Sequence, residues 1–327
     1  FGIRGVAVTL TLALMLAAGA LCPQLALAQT PARFYWKTLS DANAVPVIVN
    51  SISGNTNPFD PAHVVVSTDA EVNATMALAG YAHTFTLFGR SAIGAFIAPM
   101  GRLSGSATVA GRTATQSANG FGDPMLEFNL NLIGPKAQRV IPDVLRYEPG
   151  FSVDPLADLA QPIGKYNNTQ PLNLGQNRWY GRLGAPVIWQ LGPWIPGKRT
   201  TLEFLPAVWL FGPNDDYVGQ TLETDAMFQL DAHLSRDFSE HLWGSLDTTW
   251  YTGGAATVRA FLRSASFRVT SEGRASPSNR TASLASRAAS SIRRCAKSAA
   301  IASVSSVTWV DWTQLARSAA TLAAKSS

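Results

Sequence analysis

Leu126-Glu127-Phe128-Asn129-Leu130-Asn131-Leu132 alternates apolar and polar side chains without a fault. A period of two sends successive side chains to opposite faces of an extended strand. Leu126, Phe128, Leu130 and Leu132 therefore share one face, and Glu127, Asn129 and Asn131 the other. Phe228-Gln229-Leu230-Asp231-Ala232-His233-Leu234 repeats the pattern. Softer alternation covers 76–86, 91–103, 151–160, 179–191, 201–211 and 242–251, which brings the expected strands to eight. Most of these runs are about 9–13 residues long, beyond the ~5–6 usual in soluble sheets and close to the ~9–11 of a tilted membrane strand.

The connections carry a second signal. A tight link at 88–90 is followed by a long polar one at 104–120, an intermediate one at 135–146 and a long one at 164–177. A short one at 192–199, a long acidic one at 212–224 and a short one at 237–240 complete the series. Outer-membrane barrels segregate loop length in this way, with short periplasmic turns and long extracellular loops. Aromatic residues near the strand ends (Tyr147, Trp179, Tyr180, Trp189, Trp194, Trp209, Phe211, Trp243, Trp250 and Tyr251) fit the two interfacial girdles of such a barrel.

The predicted fold class is thus all-β, an antiparallel transmembrane β-barrel of outer-membrane type. Lipid cannot satisfy a free strand edge, so the strands must close on themselves. Apolar faces then meet outer-membrane lipid and polar faces a lumen. The expected lumen residues are Glu127, Asn129, Asn131, Arg182, Glu203, Gln229, Asp231 and His233. An eight-stranded barrel is filled by its own side chains, so a solute path needs further strands.

The ends of the chain read differently. Arg4, the apolar run 6–21 and Ala26-Leu27-Ala28 form the charged start, greasy core and small-residue exit of a secretory signal over residues 1–28. Pro23 disfavours a membrane-spanning helix there. The chain begins at Phe1 rather than Met, so residues ahead of it are expected. Leu21 is too large just before Cys22 for a lipoprotein site. The two cysteines are Cys22 and Cys295, so residues 29–254, the expected barrel, have none and hold neither a disulfide framework nor a thiolate metal site. No cofactor and no metal are expected.

Up to Gly254 there are 15 basic and 19 acidic residues, a net of −4, against 11 and 2 from Ala255 onward, a net of +9. The basic character belongs to the tail, and no nucleic-acid partner is indicated. Residues 255–327 are rich in Ser, Ala and Arg and show no period of two. One reading is a disordered basic extension with helical patches. The favoured reading is a stretch translated out of frame, which would leave the chain without its closing strands. Residues 32–72, with Pro46, Pro58 and Pro61, are open to three readings: an initial strand at 45–49, a plug, or a periplasmic arm.

Ala32-Arg33-Phe34-Tyr35-Trp36-Lys37, Phe121-Gly122-Asp123-Pro124, Pro162-Ile163-Gly164-Lys165-Tyr166 and Asn177-Arg178-Trp179-Tyr180 resemble an outer-membrane family associated with the meta-pathway of phenol degradation. The likeness spans roughly Ala32 to Gly254. It implies a β-barrel channel for small hydrophobic or aromatic solutes, and carries no binding motif over to particular residues. Two other classes were weighed: a structural barrel without a pore, and a barrel lipid hydrolase. Among His63, His83, His233 and His241 none sits in a metal pattern, and no G-x-S-x-G elbow is present. His233 beside Asp231 suggests an Asp–His pair, although a lumen hydrogen-bond network is the commoner role for such residues. Glu203 reads as a lumen residue rather than a general base, and Asp215-Asp216 as a solvated acidic loop. The expectation is a channel and not an enzyme.

Overall fold

A computed structural model describes residues 30–62, 70–109, 112–259, 266–269 and 301–303. The expected signal at 1–28, His63 and most of the tail lie outside the described residues. The chain runs through β1 (Asn43–Ala44), β2 (Val47–Gly54), β3 (Glu71–Leu87), β4 (Arg90–Val109), β5 (Arg112–Phe121) and β6 (Met125–Leu130). A short helix α1 (Ile141–Leu145) precedes β7 (Phe151–Val153), β8 (Leu156–Ala160), β9 (Tyr180–Gly184), β10 (Val187–Gln190) and β11 (Thr200–Phe211). Then come β12 (Asn214–Tyr217), β13 (Gln220–Thr224), β14 (Met227–Asp237), β15 (Trp243–Gly253), β16 (Ala256–Arg259), β17 (Ser266–Val269) and β18 (Ile301–Ser303).

Neighbours in sequence pair antiparallel around one sheet, in the order β3, β4, β6, β8, β9, β11, β14, β15, with β1 and β2 on the free side of β3 and β18 on that of β15. All eight expected strands are present, and the initial strand expected at 45–49 is realised as β2. Among the described residues, β2 and β18 are not paired to each other, so the expectation about closing strands rests on residues outside those described.

The surface is inverted relative to a soluble protein. Phe128, Leu126, Leu183 and Trp189 are exposed, whereas Glu127, Asn129, Asn131, Arg182 and Asp231 are buried. That is the surface of a transmembrane barrel, apolar outward and polar inward.

Three expectations are corrected. The long connection at 104–120 is not irregular, because β4 and β5 continue through it as a hairpin paired from Met100↔Phe121 to Val109↔Arg112. The acidic connection at 212–224 carries the small hairpin β12–β13, joined by β16 and β17 in a second sheet. The runs 151–160 and 179–191 are each broken in two. Pro155 and Pro186 have no N–H to give the ladder, so β8 pairs with β6 and β9 while β7 pairs with β10. In the tail, β16, β17 and β18 are short strands, and nearly all of the rest lies outside the described residues.

The break between β5 and β6 is built around Asp123. Its carboxylate accepts Gly164 N–H at 2.8 Å and Gln176 N–H at 2.6 Å. A Cβ on Gly164 would lie 2.5 Å from the Gly122 carbonyl carbon, and one on Gly175 2.7 Å from that of Gly164. Only glycine lets these three backbones stack, which folds the long loop 161–179 back over the barrel mouth.

Phe128 pairs with Gly94 and Ala157 in the middle of the exposed belt. Phe128→Arg at that depth is expected to cost roughly 2–4 kcal/mol, measured by urea titration of the protein refolded into vesicles. Ser104→Arg, above the belt, is expected to change stability little.

Candidate channel interior

The inward face is organised from the N-terminal segment outward. Residues 30–41 enter the barrel as a tight turn, with Phe34 N–H on Pro31 C=O and Trp36 N–H on Arg33 C=O. Arg33, at a left-handed φ of 69°, donates its backbone N–H to Glu203 Oε2 at 2.9 Å. Trp36 Nε1 donates to Glu203 Oε1 at 2.9 Å, and Thr201 Oγ1 to the same oxygen at 2.8 Å. The Arg33 guanidinium bonds Asp237 at 2.7 Å and lies 4.5 and 4.3 Å from the ring centres of Trp36 and Trp243. Lys37 pairs with Asp154, which also accepts Asn131 Nδ2 at 2.7 Å. Of the three readings of this region, two are realised in succession: a plug over 30–41, then the edge strand β2.

A second cluster sits above the plug. Arg182 Nε donates to Asp158 Oδ2 at 2.5 Å, with Glu127 Oε2 at 4.0 Å and Tyr35 Oη at 3.4 Å. The indole N–H of Trp209 donates to Gln229 Oε1 at 2.5 Å, and Gln229 Nε2 to Asp231 Oδ2 at 2.7 Å. The Arg182 guanidinium lies 5.1 Å from the Trp209 ring centre. Each buried charge thus meets an opposite charge, a ring or a hydrogen-bond partner, as burial demands.

All eight expected lumen residues are buried and face inward, but they divide into two groups. Glu127, Arg182 and Gln229 border a cavity of about 190 Å³. Asn131 and Glu203 are instead engaged by the plug layer, and Asn129, Asp231 and His233 do not border the cavity. The less favoured Asp231–His233 pair is not formed: His233 Nδ1 bonds Asp247 Oδ1 at 2.8 Å, and Asp231 accepts Gln229 Nε2. Side chains at spacing two share a face, but across β14 and β15 His233 lies directly opposite Asp247, which is closer than its neighbour along the strand. His233 therefore points into the barrel and not to its outer wall.

The interior is not uniformly polar either. Its β2–β4 side is apolar, with Ile52, Val72, Ala74, Met76 and Leu103 packed on Phe59, Leu172 and Leu174 from the loops. The cavity lies between this wall and the charged one. Ile48, Met76, Leu78 and Ile97 form one side, Tyr180, Trp209 and Tyr251 the other, with Phe59 above and Phe34 and Tyr35 below. The aromatic girdle is likewise only partly realised. Trp179, Trp189 and Trp250 are exposed, while Tyr147, Tyr180 and Trp209 are buried.

Above the cavity, Arg178 bonds Asp60 at 3.0 Å and Thr224 Oγ1 at 2.6 Å. Tyr166 Oη donates to the Asp216 carbonyl at 2.9 Å. In this extramembrane layer burial holds the tyrosines protonated, the phenol of Tyr217 being pushed up to about 12. Asp216 serves here as a loop tie, accepting Asn168 Nδ2 at 2.6 Å. Among the described residues no group of three acidic, histidine or cysteine side chains is placed to hold a metal.

Sequence reasoning missed the plug residues Arg33, Tyr35, Trp36 and Lys37 as site residues. The signal was available: two cations flanking three aromatics within five residues, a few residues after the expected signal peptide, suit neither a strand nor a linker.

The architecture is that of an outer-membrane β-barrel with an internal plug. The family described as "Putative MetA-pathway of phenol degradation" matches residues 54–283, and the chain belongs to it. The match runs past Gly254, where the likeness was expected to stop. A crystal structure of an outer membrane channel from Pseudomonas putida F1 has a similar fold, with a TM-score of 0.55 and 21% identity over 70% of this chain and 79% of that one. No curated protein matches this chain.

Arg33→Ala leaves Asp237 buried without its cation, a loss worth about 3–5 kcal/mol for a broken buried pair. Hydrogen exchange at residues 31–38 is expected to rise sharply while β11 and β14 stay protected. Unchanged protection of 31–38 would mean that the plug is seated by other contacts.

Proposed function

We propose that this chain is an outer-membrane channel that admits small hydrophobic or aromatic solutes passively, and that it is not an enzyme. The observation that carries this reading is the cavity between Phe59 and the plug. Its walls are mostly apolar and aromatic, with Glu127, Arg182 and Gln229 at one side. An apolar cavity of ~150 Å³ is enough to take up benzene, so about 190 Å³ suits one substituted aromatic ring. Of the polar residues that border it, Glu127, Arg182 and Gln229 favour a ring carrying a hydroxyl or carboxyl group, which they can hydrogen-bond. The family's association with phenol degradation agrees with that chemistry.

Below the cavity the inward residues of β14 descend through Asp231, His233 and Ser235 to Asp237 at the short-turn end. Nδ2 of Asn129 has no hydrogen-bond partner among the described residues. A buried polar atom in that condition suits a hydrated path. In this reading Glu127, Arg182 and Gln229 touch the solute, while Asn129, Asn131, Glu203, Asp231 and His233 line the lower path once the plug yields. The plug also favours a second reading, a closed structural barrel.

The two differ in flux. Outer-membrane vesicles containing the protein should take up labelled phenol faster than empty ones, and Ile97→Trp, which fills the cavity, should return uptake to the empty-vesicle rate. Uptake that is the same with the protein, without it and with the variant would establish the closed barrel instead.

A further inference from the structure

Along four neighbouring strands the outward face changes character at one level. On β2 the exposed Val47 and Val49 give way to Ser51 and Ser53; on β3, Ala79 and Ala77 give way to Thr75, Asn73 and Glu71. On β4, Ala98 and Met100 give way to Arg102 and Ser104, and on β5 Phe121 gives way to Asn119, Ser117 and Thr115. The register aligns these changes. Val49, Ala77, Met100 and Phe121 form one row across the sheet, and Ser51, Thr75, Arg102 and Asn119 the row two residues above it. Inward residues of the same strands, Ile52, Val72, Ala74 and Leu103, stay apolar across the line. The switch is therefore a property of what the outer face meets, and it marks the edge of the hydrocarbon. Below it, the belt on β3 from Ala77 to Leu87 is roughly 25 Å tall at the usual strand tilt, the height of a membrane band. Phe88-Gly89, the tight turn at the far end of β3, is at the periplasmic end, so the line at Arg102 lies in the outer leaflet.

At that line Arg102 and Lys165 border a cleft of 270 Å³ together with Ser117, Asn119, Asn167 and Gln170. Lys165 is anchored by its backbone, with its N–H on Phe121 C=O and its carbonyl accepting Gly175 N–H. Its stem lies across Gly120, where an added Cβ would come within 3.0 Å of Lys165 Cδ, and its Nζ donates to Asn119 Oδ1 at 3.3 Å. Among the described residues neither Arg102 nor Lys165 forms an ion pair. A second open cleft, lined by Asn73, Ser104, Thr115, Gln116 and Ser117, with Glu71 engaged by Asn73 Nδ2 at 3.0 Å, continues from this one away from the membrane. Two cations at the edge of the hydrocarbon, followed outward by hydroxyl and amide side chains with the single carboxylate of Glu71 at the far end, match an anionic phosphate and then a sugar.

We propose that this face binds the phosphorylated saccharide headgroup of an outer-leaflet glycolipid, with Arg102 and Lys165 on a phosphate and Asn119, Ser117 and Ser104 on the sugars. The acyl chains lie below, against Val49, Ala77, Met100 and Phe121. This rests on the barrel fold and not on the solute the barrel passes.

The test uses the full chain purified in detergent, with diphosphorylated lipid A as the probe and retention read by native mass spectrometry. Neutralising both cations in R102Q/K165Q is expected to weaken binding about thirtyfold, taking roughly 1 kcal/mol per basic residue at an anionic surface. The charge-preserving R102K/K165R should keep most of it. Lipid A stripped of both phosphates should bind the wild type as weakly as diphosphorylated lipid A binds R102Q/K165Q. Equal retention by the wild type and R102Q/K165Q, both giving the same circular dichroism, would overturn the proposal. So would displacement by millimolar inorganic phosphate, which would mark a site for free anions. Phenol uptake that is normal in R102Q/K165Q would leave the channel reading intact whichever way lipid binding falls.

Discussion

A strand in hydrocarbon must find a hydrogen-bond partner for every backbone N–H and C=O, since each one left unpaired costs several kcal/mol. Everything else in this barrel follows from that demand. Strands that pair on both edges curve round into a wall with two faces, and the outer face can carry only apolar side chains. The inner face is freed from that restriction and acquires charges. A charge there needs a partner, because isolated ions do not survive burial. Hence Arg182 meets Asp158 and Glu127, Lys37 meets Asp154, Arg178 meets Asp60 and Arg33 meets Asp237. Three of these four cations bond residues more than a hundred positions away. They fasten the N-terminal plug and the loops to a wall that the backbone ladder alone would leave hollow.

The two halves of the interior solve the filling problem differently. Against β2, β3 and β4 the loops deliver Phe59, Leu172 and Leu174 into an apolar wall, a small core in the ordinary sense. Against β6 to β15 the plug delivers Arg33, Trp36 and Lys37 into a polar one. The cavity is the seam between the two packings, which is why its lining is apolar and aromatic yet includes Glu127 and Arg182. Asp123 sits at the head of the same seam, where its carboxylate ties the long loop to the break between β5 and β6.

The strands were legible in the sequence because period-two alternation records a two-faced wall directly. Leu126 to Leu132 and Phe228 to Leu234 declare which side chains are inside before any partner is known. The partners themselves were not legible. His233 and Asp231 are neighbours along β14, but the antiparallel register that sets His233 opposite Asp247 depends on the position of the turn at 238–242. The continuation of β4 and β5 beyond the membrane was hidden because Ser, Thr, Asn and Gly look like loop when the outer face no longer needs to be apolar. The plug was hidden for the opposite reason: its aromatics and cations are strong signals, but no periodicity connects them to the wall they bind. Pro155 and Pro186 were visible as breakers, yet only the exchange of pairing between β7–β10 and β8–β9 shows that both strands break at the same level.

The cavity and the boundary row share the same strands, which locates the barrier to passage. Ile97, Pro99 and Met125 border the cavity from the inside, while Met100 and Phe121, on the same stretch, face outward at the edge of the hydrocarbon. Under the proposed function, a solute in the cavity has passed the headgroup layer but hardly entered the depth of the membrane. What remains below it is the row of Asp231, His233, Ser235 and Asp237, closed by Arg33 held between Trp36 and Trp243. An apolar ring gains nothing from that row, because each step downward exchanges apolar wall for paired charges. Under that proposal, movement toward the periplasm requires the plug to withdraw and water to take up the charges it leaves. The ion pairs that seat the plug, and not the width of the barrel, set that barrier.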